Sequence, residues 1–127
     1  MSPSNEAVSD NSELSQTSDP REVEVFALRE IAQRLAAAQK NPESEEELLH
    51  AVRLNWRLWT IFQVSLLEVN CPLPDVIRNN ILSLSNFVDK HSADIIAAPA
   101  PAKLDVLIRI NHDLADGLSA AAPGPQP

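Results

Sequence analysis

Residues 44–69 decide the fold and read SEEELLHAVRLNWRLWTIFQVSLLEV. Ser44 followed three residues later by Glu47 is a helix-start signature, and the glutamates between them suit the positive end of a helix dipole. Thirteen of the twenty residues 48–67 are apolar. The polar side narrows to four residues: His50, Arg53, Arg57 and Thr60. Because a helix that is apolar nearly all round has to be buried on several sides, this stretch predicts the central helix of a bundle.

A first helix is predicted upstream, over residues 19–40. It opens on Asp19-Pro20, where the aspartate can cap the free amides and the proline suits the first turn. Asn41-Pro42 ends it, because a proline restricts the residue before it to extended conformations. Between these limits apolar residues recur at helical spacing and predict a buried face: Leu28, Ile31, Ala32 and Leu35.

A third helix is predicted over residues 74–97. The connector NCPLP, residues 70–74, separates it from the long helix, and the last proline of that connector is well placed to begin it. An apolar stripe that also carries His91 predicts its inner face: Ile77, Ile81, Leu84, Val88 and Ile95.

The fourth predicted helix is short, from residue 103 to about residue 116, with Gly117 as its C-terminal cap. Residues 1–18 are polar and acidic and bury too little to offset the entropy of ordering, so they predict a disordered arm. Residues 119–127 form a second tail, rich in proline and alanine. The fold class is therefore a small all-α bundle of about four helices, over residues 19–118, with disordered N- and C-terminal tails.

Charge and composition exclude several classes of partner. A net charge of −8 repels polyphosphate, so direct nucleic-acid binding is not expected. No run approaches the roughly 18 apolar residues of a membrane span, and the first twenty residues do not form a signal-peptide pattern. The single cysteine cannot form an intramolecular disulfide. We expect a soluble, cytoplasmic protein that binds neither nucleic acid nor membrane.

The chain lacks a residue set suited to catalysis. Its three histidines fall on three different predicted helices, and no two have the i, i+4 spacing of a helical metal site. Cys71 has no base beside it in the sequence, and two glycines are too few for a phosphate-binding loop. We therefore expect no catalytic, cofactor-binding or metal-binding residues, and no enzymatic activity.

Two asparagines interrupt apolar stripes, where an unpaired amide would cost about 1–3 kcal/mol. Asn55 and Asn111 either set the helix register, by bonding to one another or to the exposed backbone at a helix end, or one or both face a groove for a partner. Trp59 is expected in the core, whereas Trp56 fits either the core or a partner surface. The candidate partner-binding residues come from the second and fourth helices: Leu48, Val52, Asn55, Trp56, Trp59, Phe62, Leu107, Ile108 and Asn111.

Four segments together resemble the FlaF family, the flagellar biosynthesis regulators of alphaproteobacteria. The first segment is DPRE, residues 19–22, followed by ALREIAQRL, residues 27–35. The second is NWRLWTIF, residues 55–62, and the third is LPDVIRNNILS, residues 73–83. The last is LIRIN, residues 107–111, with Gly117-Leu118. Two positions depart from the family pattern, because Ser65 stands in place of an aspartate and Ile77 in place of a leucine.

The resemblance implies a function that composition and spacing do not. FlaF proteins are associated with flagellin synthesis and secretion, in opposition to or together with the regulator FlbT, and are thought to escort flagellin. It therefore implies a flagellin-binding export chaperone and regulator, with flagellin as the partner and FlbT as a possible second one. The alternative is a post-transcriptional regulator that acts on flagellin messenger RNA through FlbT.

Overall fold

The chain folds into helices alone in the part that the structure describes, residues 20–41 and 43–121 of a computed structural model. They are α1 (Pro20–Gln39), α2 (Glu45–Leu66), α3 (Asp75–Ala97) and α4 (Leu104–Ala121), with one 3₁₀ turn, Pro101–Lys103, before α4. The predicted all-α bundle of four helices is confirmed. The predicted arm, residues 1–18, and the tail beyond residue 121 lie outside the described residues.

The four helices enclose a single core. α1 packs along α4 and along α2, whereas α3 packs mainly along α2 and has few contacts with α4. The largest fully buried apolar side chains come from all four helices: Trp59, Leu28, Leu35, Ile95, Leu104, Leu107, Val52 and Val88. Because α2 lies against both α1 and α3, the prediction that it is buried on several sides is confirmed.

The start of α2 follows from its capping residue. The Oγ of Ser44 accepts a hydrogen bond from the backbone N–H of Glu47 at 3.2 Å, which satisfies one of the free amides of the first turn. The N–H of Ser44 itself donates to the carbonyl of Asn41 at 3.1 Å. The predicted helix start is confirmed, and the preceding turn supplies the bond to Ser44 N–H that a full capping box would take from Glu47.

The end of α2 differs from the prediction, because the helix stops at Leu66 and not near residue 69. Pro72 has no N–H, so the carbonyl of Glu68 has no donor four residues on. It accepts instead from the N–H of Cys71 at 3.1 Å, and Glu68 N–H in turn bonds to Ser65 at 3.3 Å. These tighter i to i+3 bonds turn the chain toward α3.

The end of α4 also differs, since the helix runs through Gly117 to Ala121 and Gly117 is not its cap. Residues 119–121 therefore belong to the helix and not to the predicted tail. The reason is packing: Leu118 is only 3% exposed. Burying a leucine contributes about 1.5–3 kcal/mol, more than the roughly 1 kcal/mol that a glycine costs inside a helix.

We predict that Gly117→Ala raises the free energy of unfolding by about 0.5–1 kcal/mol, because alanine loses less backbone entropy than glycine in a helix. A Cβ at this position meets no atom within 4 Å. Urea unfolding followed by far-ultraviolet circular dichroism measures the difference. A loss of stability would contradict the structure and support the left-handed cap predicted from the sequence.

Candidate functional site

The nine residues predicted to contact a partner do not form an open face. Seven are buried in the bundle: Leu48, Val52, Asn55, Trp59, Phe62, Leu107 and Asn111. Trp56 and Ile108 are half-buried. Their burial has a physical cause, because α1 and α3 cover α2 on two sides. Contact of the buried residues with a partner stays a prediction that would require the helices to separate.

The two asparagines are bonded to one another. The Nδ2 of Asn111 donates to the Oδ1 of Asn55 at 2.7 Å, and the indole N–H of Trp59 donates to the Oδ1 of Asn111 at 2.9 Å. All three residues are fully buried. The first of the two alternatives is confirmed, as is the core position of Trp59. Because α2 and α4 have few close backbone contacts, this chain of hydrogen bonds joins them across the bundle.

Trp56 belongs to the contact between α2 and α3. Its indole N–H donates to the Oδ1 of Asp89 at 2.8 Å. The Nε2 of Gln63, two turns further along α2, donates to the other oxygen of Asp89 at 3.1 Å and to the Oγ of Ser85. These bonds hold the two helices in register.

Exposed apolar side chains concentrate at one end of the bundle instead. Seven of the eight large hydrophobic residues exposed in the described chain lie there, and we call them the apolar end: Val23, Phe26, Ile61, Val64, Leu67, Val69 and Val76. They come from the first two turns of α1, the last two turns of α2, the connector and the start of α3. The eighth, Phe87, lies in the middle of α3 and stacks on His91. Exposed apolar side chains that gather at one end of a small protein make that end a candidate interaction surface.

A groove of about 330 Å³ opens at the same end. Its floor is apolar, formed by Phe62 and Leu66 of α2, Ile81 of α3, and Leu114 and Leu118 of α4. The connector closes one side with Cys71, Pro72 and Leu73, and α1 contributes Arg21 and Glu24. Its volume falls at the lower limit of sites that hold a bound side chain or small molecule.

Carboxylates outnumber cations at this end of the bundle. Two turns of each helix lie at this end, the first two of α1 and α3 and the last two of α2 and α4. Together with the connector they carry five carboxylates: Glu22, Glu24, Glu68, Asp75 and Asp116. They carry two guanidinium groups, Arg21 and Arg78. Asp75 pairs with Arg78 at 3.4 Å, and Asp116 pairs with Arg29, one turn further along α1, at 3.0 Å. The carboxylates therefore outnumber the cations around an apolar centre.

The described residues offer no metal site, since no three histidine, cysteine or carboxylate side chains cluster in them. Cys71 is a half-buried free thiol at the groove. Within the same residues, no helix combines the length and the apolar character that crossing a membrane requires. The described residues therefore offer an apolar groove and exposed apolar side chains as candidate binding surfaces.

The fold and the candidate site together define a small helical bundle with exposed apolar side chains and a groove at one end. A family model described as Flagellar protein FlaF matches residues 8–118. The chain therefore belongs to the FlaF family of flagellar proteins. The match begins within the predicted acidic arm and not at residue 19. No curated protein and no solved structure matches the chain.

All four segments that carry the family resemblance reach the groove, although they are far apart in the sequence. The first supplies Arg21, the second Phe62, the third Leu73 and Ile81, and the last Leu118. Sequence reasoning missed this site, because no one segment signals a groove. The available signal was the excess of apolar residues in α2, which predicts a surface that its neighbours leave uncovered.

We predict that Asn111→Leu lowers the free energy of unfolding by about 2–5 kcal/mol, because it leaves both the Trp59 N–H and the Asn55 Oδ1 buried and unpaired. Asn55→Leu should cost less, about 1–3 kcal/mol, since it leaves only the Asn111 Nδ2 unpaired. It also removes the Asn55 Nδ2, which has no partner in the described residues. Denaturant unfolding measures both variants. Equal losses of stability in the two variants would contradict the conclusion that Asn111 bonds to both Asn55 and Trp59.

Proposed function

We propose that this chain binds flagellin before export, escorts it, and by that binding regulates flagellin production. Two observations support the proposal. The chain belongs to a flagellar family, and seven exposed large hydrophobic residues lie together at the end of the bundle that holds the groove. The second observation carries the argument, because it supplies a surface on which a helix can dock.

Flagellin suits such a surface. Its chain ends are amphipathic helices, whose apolar stripes stay uncovered until the filament assembles. An amphipathic helix binds an apolar groove by laying its stripe along it, with anchor residues at i, i+3, i+4 and i+7. Ile61 and Val64 of α2 and Leu67, its C-cap, follow one another at intervals of three, so they form a stripe that can pair with another helix.

An escort has to release its client, and the proposed site is compatible with release. The exposed stripe is short, and the groove is open to solvent on one side. Binding one flagellin to one chain also makes the unoccupied fraction of the chain depend on the concentration of unexported flagellin. A regulatory partner such as FlbT would then respond to the fraction of the chain that holds no flagellin. Escort and regulation would depend on the same binding equilibrium.

We predict that Val64→Glu combined with Leu67→Glu weakens flagellin binding more than tenfold, because each change places a charge where an apolar contact forms. Both side chains are more than 60% exposed, so the fold should persist. Co-purification and titration of the full chain with full-length flagellin measure the effect.

Phe87→Glu is the control, because it places one charge of the same sign on an exposed hydrophobic residue away from the apolar end. It should leave flagellin binding unchanged. If the unaltered chain forms no complex with folded, export-competent flagellin, the proposed function is wrong. If both variants bind equally well, flagellin binds elsewhere on the chain.

A further inference from the structure

The longest helix of the bundle buries the fewest apolar side chains. α3 spans 23 residues, yet only three of its apolar side chains are buried: Ile81, Val88 and Ile95. Among the described residues, α1 and α4 bury five each and α2 buries six. Four further apolar residues of α3 are only half-buried: Ile77, Leu82, Leu84 and Ile96. Because burial stabilises in proportion to the apolar area removed from water, α3 gains the least from its buried side chains.

Two serines interrupt the buried face of α3. Ser85 and Ser92 alternate with the three buried apolar residues at helical spacing, and both are fully buried. We call these five positions the inner stripe of α3. The Oγ of Ser85 accepts a hydrogen bond from the Nε2 of Gln63, whereas the Oγ of Ser92 has no partner among the described residues. A buried hydroxyl without a hydrogen bond destabilises the packed state, so the inner stripe holds α3 weakly.

The other three helices hold together without α3. Asn111 of α4 bonds to both Asn55 and Trp59 of α2, and α1 packs along both of these helices. α3 packs mainly along α2 and has few contacts with α4. Each end of α3 joins the bundle through a connector that contains two prolines, at positions 72 and 74 before it and 99 and 101 after it. Because proline interrupts helical hydrogen bonding, α3 can move away without unwinding its neighbours.

We propose that α3 opens as a unit while α1, α2 and α4 stay packed, because its inner stripe is the weakest part of the core. Segments with few buried apolar contacts open at a lower free energy than the whole fold. Opening breaks the bonds that Asp89 accepts from Trp56 and Gln63. It also breaks the bond between the Nε2 of His91 and the carbonyl of Lys103.

The open form exposes the face of α2 that carries Trp56, whether or not flagellin is the partner. Trp56 is half-buried in the closed form, where its indole N–H is bonded to α3. Opening of α3 therefore supplies the separation of helices that contact between this face of α2 and a partner requires. The inference goes beyond the proposed function, because it concerns the isolated chain and is tested without a partner.

Native-state hydrogen exchange of the full chain tests the proposal, followed residue by residue by NMR in urea below the unfolding transition. The α3 amides should exchange at least about tenfold faster than the most protected amides of α1, α2 and α4, after correction for the intrinsic rate of each amide. Their exchange should also respond less to urea, since opening one helix exposes less surface than unfolding the whole bundle.

A matched pair of glycine variants separates opening of α3 from unfolding of the bundle. Lys90 and Gln33 are exposed positions inside α3 and α1. Lys90→Gly should speed exchange of the α3 amides about threefold, because glycine weakens the helix and a detached helix is only marginally stable in water. Gln33→Gly weakens α1, which is packed in both the closed and the open form. It should speed exchange of the most protected amides of α1, α2 and α4 about threefold and leave that of α3 unchanged.

Ser92→Ala tests the inner stripe directly. It removes the buried hydroxyl that has no partner among the described residues, and should therefore slow exchange of the α3 amides severalfold. An unchanged rate would show that the inner stripe is not the weak part of the core, which contradicts the inference.

Two further results would overturn the inference. If the α3 amides match the most protected amides of the other helices in rate and in urea dependence, the bundle opens only as a whole. The same conclusion follows if Gln33→Gly speeds exchange of the α3 amides as much as that of the other three helices.

Discussion

The bundle depends on the hydrogen bonds that join Asn55, Asn111 and Trp59 in its centre. They connect α2 with α4, two helices whose backbones come close at few points. Apolar contacts tolerate a shift along the helix axis, whereas a buried amide has to find its partner within about 3 Å or lose its hydrogen bond. The bonded asparagines therefore set the register of α2 against α4. α1 packs along both of these helices.

That register determines which part of α2 is covered. The face of α2 that carries Val52, Trp59 and Phe62 is buried in the bundle. Toward the end, the stripe of Ile61, Val64 and Leu67 remains exposed. The polar contacts of Trp56 and Gln63 with Asp89 attach α3 along the other side of α2. The open apolar surface is thus a consequence of how the core is aligned.

Sequence reasoning succeeded where the determinants are local. Ser44 predicted the start of α2 and the helical spacing of Leu28 and Leu35 predicted a buried face, because capping and periodicity act within a few residues. It was wrong at Gly117, since the local preference of glycine for a helix end is weaker than the burial of Leu118 beside it. It predicted a partner surface at Val52 and Leu107, which lie in the core, and their contact with a partner stays a prediction. An apolar residue in a core and one at an interface look alike in a sequence.

The sequence by itself determined that the protein is an acidic all-α bundle, that α2 has more apolar surface than an ordinary surface helix, and that four separate segments are similar to the FlaF family. Only the tertiary structure decided that the two asparagines bond to each other, and that most of the exposed large apolar side chains lie at the end of the bundle that also holds a groove. The physical reason is that periodicity and capping depend on residues close in the sequence. Which face of a helix is buried depends on the other helices that pack against it. The groove brings together residues from all four segments, because two helices begin and two helices end there: Arg21, Phe62, Leu73 and Leu118.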